Sequence, residues 1–235
     1  MRRMFAPALA AGLIFAAAAH AQEPWPQRPV TIVVPFAAGG SADLLARILQ
    51  QHLQAKFGVP FVVENKSGAG GSIGTSSHLS SVMFELATNT KMTHVPFRST
   101  GEVVNSMLGG NIDLAIDSMT TVWPFAAAGN VRALAVTTPE RSAAAPDLPT
   151  IGETLKGYEA TAWQGLFAPA GTPRPILDKI AAEVRGVWAL PEVVTALKNV
   201  GAEPAASSPD EFTAYTAAER VRWGEVVKAS GVKID

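Results

Sequence analysis

Residues 30–43 read V-T-I-V-V-P-F-A-A-G-G-S-A-D and hold the spacing in this chain best suited to chemistry. Gly39 and Gly40 stand between a β-branched run and the hydroxyl of Ser41, with Asp43 two positions further on. A strand, a tight glycine turn and a helix start present unpaired backbone N–H groups at the positive end of a helix dipole. That suits an anion, a carboxylate or phosphate above all. The same pattern also serves as a plain strand-to-helix connection in α/β proteins, so the spacing alone leaves both uses open.

Covalent chemistry finds less support. No G-x-S-x-G elbow is present for a nucleophilic serine. His52, His78 and His94 lie on separate elements without the i, i+4 or Cys spacing of a zinc site, and the chain holds no Cys. His78 reads as a helix-capping or core histidine. Asp113 and Asp117 stand four apart on an expected strand and so share a face, which could serve a cation or an amine. Asp117 also ends that strand, where ligand crevices open in parallel sheets; it either neighbours a ligand or caps a turn. Gly68-x-Gly70 would need a third glycine where Ile73 stands, so the stretch 65–74 is not a dinucleotide fingerprint. No enzyme activity, metal or cofactor is expected.

These residues need elements to hold them. The β-branched run 30–34 predicts a buried parallel strand closed by Pro35. Leu44, Leu45, Ile48, Leu49 and Leu53 predict a helix over 41–57, with Ser41 as its N-cap and Gly58 as its stop. Further strands are expected at 61–64, 92–95, 112–116 and 133–137. Further helices are expected from the hydroxyls at 75–77, over 100–108 and 123–128, from Pro173 to Trp188, from Pro191 to Asn199, and over 209–229 behind a Ser208 cap. Alternation of strand and helix implies a parallel sheet with right-handed crossovers. Residues 158–168 read as an extended return, with Trp163 packed at a hinge or lining a crevice.

P-F-A-A-G-G-S-A-D and V-V-E-N-K-S-G-A-G-G-S-I-G at 62–74 resemble the Bug-type substrate receptors of tripartite tricarboxylate transporters. So do T-H-V-P-F at 93, L-G-G-N-I-D-L-A-I-D at 108, R-A-L-A-V-T-T at 132, the run from Gly157 through A-P-A-G-T-P, and G-A-E-P at 201. The matches keep their order from about Trp25 to the C-terminus. The resemblance implies an α/β, two-lobe, periplasmic-binding-protein-like fold (type II, Venus flytrap) and a monomer. Lobe 1 would comprise 22–74 plus 158–235, and lobe 2 would comprise 75–157. It implies a small carboxylate held between two loops by Phe36, Ala38, Gly39, Gly40, Ser41 and Asp43 on one side, and Thr75, Ser76, His78 and Asp117 on the other. Membrane transporter subunits would be the partner.

At Thr75 the pattern departs from that family. Gly74-Thr75-Ser76-Ser77-His78-Leu79 is similar to the tail of a later family loop, G-x-G-S-S-x-H-L, joined directly to the earlier glycine loop. The elements between are missing, so the first lobe and the lobe junction are expected to be incomplete. Two readings follow: a receptor that still binds, or an internally truncated relic that does not.

Arg2 and Arg3, an apolar stretch over 4–19 and Ala19-His20-Ala21 make residues 1–21 a secretory signal, too short to span a bilayer. The expected address is the periplasm. A net charge of −1 with interspersed signs leaves no footprint for nucleic acid, and 48% hydrophobic residues suit a globular chain with a full core.

Overall fold

The computed structural model describes residues 25–66 and 74–230. The expected signal segment, 1–21, and most of the glycine stretch 65–74 lie outside them. Strand β1 (Val30–Val34) and strand β2 (Phe61–Asn65) pair in parallel, in register from Val30 opposite Phe61 to Val34 opposite Asn65. Helix α1 (Ser41–Phe57) is the crossover between them. It ends where Gly58 takes a left-handed conformation at φ 67° and returns its N–H to Gln54, a stop that only glycine adopts freely.

The core lies on one face of this pair. Leu49 and Leu53 of α1 meet Phe61 of β2, Val187 of α6 (Arg174–Trp188), and Val193 and Leu197 of α7 (Pro191–Asn199). Prolines begin α6 and α7 where their missing N–H costs nothing. Trp25 closes one end, its ring edge-on to Phe57 at 5.7 Å and to Phe61 at 6.4 Å. Lys179 of α6 donates to the Trp25 carbonyl and lies 5.0 Å over the Phe57 ring. The other sheet face is open: Val33 is 51% and Val62 49% exposed. Two-layer cover is the rule for parallel sheets, and among the described residues this one has no second layer.

The expected strands at 92–95, 112–116 and 133–137 do not form a sheet among the described residues. The first two segments pair with nothing regular, and the third makes a single parallel bridge, Val136 with Thr150. An extended segment becomes a strand only when a neighbour takes its N–H and C=O groups, and these segments lack that neighbour.

The helices follow their signals more closely. Helix α2 (Ser76–Thr88) is capped by Thr75, and α3 (Thr100–Leu108) by Ser99. Helix α4 (Met119–Ala127) starts earlier than expected, at Ser118, and carries Pro124 inside it. A single turn, α5 (Ile151–Thr154), is closed by a reciprocal Thr150–Glu153 capping box. Helix α8 (Pro209–Ser230) follows Ser208, whose Oγ accepts from Glu211 N while Glu211 Oε2 accepts from Ser208. Helix α2 packs on α8, and the buried Tyr158 hydroxyl donates to Ser80 O at 2.9 Å.

The open face sets a test. Val33→Thr and Val62→Thr should each change unfolding free energy by less than about 0.5 kcal/mol in urea titrations, because neither methyl is enclosed. Leu197→Ala, at a site 1% exposed, should cost about 2–5 kcal/mol in the same titration. Losses of core size at Val33 and Val62 would mean that this face is covered in solution.

Candidate functional site

The loop from Phe36 to Gly40 is shaped from within by one carboxylate. Gly39 lies at φ 84°, with open space where a Cβ would stand. Its N–H donates to Asp43 Oδ2 at 2.9 Å, and Arg47 Nε donates to the same oxygen at 3.0 Å. Asp43 Oδ1 accepts from Asn65 Nδ2 at 3.0 Å. Asn65, at the end of β2, also donates to Phe36 O at 3.2 Å and accepts from Arg47 Nη2 at 3.3 Å. Hydrogen bonding from Arg47, reinforced by Gly39 and Asn65 and opposed by burial, holds the Asp43 carboxyl down at about 2. Asp43 is therefore ionised, buried, and turned into its own loop rather than out of it.

The N-cap of α1 is Gly40, one residue before the expected Ser41, and no side chain caps it. With the Gly39 N–H taken by Asp43, the donors left to an anion are those of the first helical turn, which have no intrahelical acceptor. Ser41 stands at the start of that turn, and its Oγ accepts from Gln164 Nε2 at 3.3 Å. Phe36 is 46% exposed beside it, and Ala38 is exposed as well.

The second expected loop begins at Gly74, at φ 74°. Its N–H donates to His78 Nδ1 at 3.0 Å, which places the proton of the neutral ring on Nε2. Thr75 Oγ1 accepts from His78 N, and Ser76 O accepts from Ser80 Oγ at 2.6 Å. The His78 ring stacks on His94 at 4.2 Å with planes 11° apart. Burial first, and His94 second, push the His78 imidazole below its ordinary value, so it is neutral at pH 7. Asp117 is brought to this loop: its Oδ1 accepts from Ser77 Oγ at 3.1 Å and from Ser118 N at 2.7 Å. It thus braces the turn before α4 through Ser118 N and adjoins the 74–78 loop through Ser77. Asp113 is exposed, and no strand forms to place it beside Asp117.

Trp163 packs on α8, edge-on to Phe212 at 5.7 Å and Tyr215 at 5.6 Å. Its indole donates to Glu219 Oε2 at 3.0 Å. Two surface hollows, one lined by Ala143, Ala144, Val194, Lys198 and Glu203 and one by Gln51, Gln54, Gly58 and Pro60, are built from other residues. Among the described residues no group of three or more His, Asp or Glu side chains is placed to hold a metal. Nor is any helix there long and apolar enough to cross a membrane.

Sequence reasoning missed Arg47, Asn65 and Gln164. Arg47 carried a signal, its i, i+4 spacing from Asp43; the other two reach their partners only through tertiary folding.

Among solved structures, the chain is similar to R. palustris Rpa4515 with adipate, with a TM-score of 0.81 and 26% identity over 88% of this chain and 99% of that one. It is also similar to the periplasmic binding protein BugD, with a TM-score of 0.78 and 27% identity over 89% and 99%. The protein therefore has the α/β fold of the two-lobe periplasmic binding proteins. The model of the tripartite tricarboxylate transporter family receptor matches residues 71–232, and the chain belongs to that family. Its relatives include a UPF0065 protein from the tcbD-tcbE intergenic region of a Pseudomonas species, 28% identical over 86% of each chain. Protein BugT of Bordetella pertussis is 26% identical over 93% of this chain and 94% of its own.

The Asp43 network gives a pH dependence with a definite sign. The folded value of about 2 lies below the ordinary 3.8, so its contribution is present above pH 4 and is lost as pH falls towards 2. Wild-type protein should lose stability between pH 5 and pH 2.5 more steeply than Asp43→Asn, followed by denaturant midpoint. At pH 7, Asp43→Asn should itself cost about 2 kcal/mol. Parallel pH profiles for the two proteins would remove Asp43 from its role in the loop.

Proposed function

We propose that this protein is an extracytoplasmic receptor that binds a small carboxylate and presents it to the membrane subunits of a tripartite tricarboxylate-type transporter. The observation that carries the reading is the 36–41 loop, whose own carboxylate is turned inward by Arg47 and Asn65, leaving neutral donors at a helix start. Membership of the receptor family and likeness to an adipate-bound structure support it. In this reading Phe36, Ala38, Gly39, Gly40 and Ser41 form one wall, with Asp43 as the brace behind it. Thr75, Ser76, His78 and Asp117 form the other. Backbone and hydroxyl donors with bridging water hold the acid, closure of two lobes sequesters it, and no covalent bond changes.

Lobe 1 is assigned to 22–74 plus 158–235 and lobe 2 to 75–157; a core that joins α1 and β2 to α6 and α7 supports the split. Residues 1–21 are assigned as the secretion signal that delivers a periplasmic monomer, on the Arg2-Arg3 start, the apolar run and the small-residue site.

A second reading, an internally shortened relic that binds nothing, has its own support. The alignment with the Pseudomonas relative runs over 290 positions while taking in 86% of a 235-residue chain, so many positions are filled only in the relative. The open sheet face and the unpaired extended segments are the physical counterpart of such a loss.

Thermal unfolding against a panel of mono- and dicarboxylates, adipate included, separates the two. An acid at a hundredfold excess over its Kd should raise Tm by about 5–10 °C, from a stabilisation of about 2.7 kcal/mol. A cooperative transition that no acid moves, or a broad one, would favour the relic.

A further inference from the structure

The best-satisfied buried charge outside the two loops is Glu219 of α8, 8% exposed. Its Oε2 accepts from Trp163 Nε1 at 3.0 Å and from Trp223 Nε1 at 2.9 Å, while its Oε1 accepts from Arg222 Nε at 2.9 Å. Arg222 also donates from Nη1 to Glu159 O at 3.1 Å. The return segment is thus tied to α8 at residues 159 and 163. At Gly165 it runs so close that a Cβ there would stand 2.1 Å from the Phe212 ring, which a larger residue would have to displace. Gln164 lies between these fixed points, and its carboxamide reaches 123 residues back along the chain to Ser41 Oγ.

We propose that Glu219 is a positioning residue: by seating the Trp163 indole on α8 it holds Gln164 against Ser41, and so fixes the start of α1 where the anion-facing N–H groups lie. Two indole donors and one guanidinium on one carboxylate leave it little rotational freedom. A charge-assisted bond from Arg222 exceeds a neutral one in strength. A segment pinned on both sides of Gln164 transmits that rigidity directly, because the carboxamide has only its own torsions with which to move. The part concerning ligand rests on the receptor reading; the part concerning the loop does not.

The test uses the full chain with Glu219→Gln and, should that variant fold poorly, Trp163→Phe, which removes the N–H and keeps a smaller aromatic ring on α8. Hydrogen exchange without ligand should become at least threefold faster in peptides covering residues 36–45 in either variant. Faster exchange confined to α8 and residues 159–165, with 36–45 unchanged, would reduce Glu219 to a local structural part and overturn the proposal. Where the wild type binds adipate or another acid of the panel, Glu219→Gln should weaken that binding three- to tenfold. Gln164→Ala should weaken it similarly, and the double variant should be no weaker than Gln164→Ala alone. Additive losses would also overturn the proposal. If the exchange effect is present and no acid binds the wild type, the receptor reading fails while the role of Glu219 stands.

Discussion

A strand in a parallel sheet is only as real as the neighbour beside it, and this constraint governs the molecule. Each extended residue carries a donor and an acceptor that must be met by another chain segment or by water. Here β1 and β2 meet one another through the α1 crossover, and a core gathers on the covered face of that pair. Three other extended segments run without a ladder, and Leu114 and Leu134, which suit a sheet interior, are 44% and 58% exposed. Propensity and alternation are present in these segments. Among the described residues they lack the partner that would turn them into strands.

The same constraint separates what could be read in the sequence from what could not. Helix starts are legible where a hydroxyl stands before an apolar period, as at Thr75 and Ser208, because a cap is a local contact between residues three apart. The stop at Gly58 was legible for the same local reason. The strands at 92–95 and 112–116 were misread because their sequence records how they would pair, not whether a partner remains. At the site, the glycine turn and the hydroxyl loop could be seen in advance, while the direction of Asp43 could not. Its carboxylate is held inward by Gly39 and Arg47 and, on its other oxygen, by Asn65, which arrives from the end of β2, 22 residues away.

The two loops also differ in how they are held. The 36–41 loop is braced by full charges, Asp43 against Arg47, with an amide bridging them. The 74–78 loop is braced by hydroxyls, a neutral imidazole and the single carboxylate of Asp117. The first is consequently built to keep one shape, since displacing its donors would strand a buried anion. The second relies on neutral bonds that water can replace at small cost.

The seat of Trp25 carries a consequence for how the chain is made. Its ring lies against Phe57 and Phe61, while Lys179 holds its carbonyl, and the same core draws on Val193 and Leu197. The first described residue of the chain is thus finished by some of the last to be synthesised. During translation β1, α1 and β2 emerge with their apolar faces bare, and they stay bare until α6 and α7 follow well over a hundred residues later. Domains closed by early segments fold as they emerge. This core cannot close until α7, which ends at Asn199, has been made, so the N-terminal strands are without their packing partners for most of synthesis.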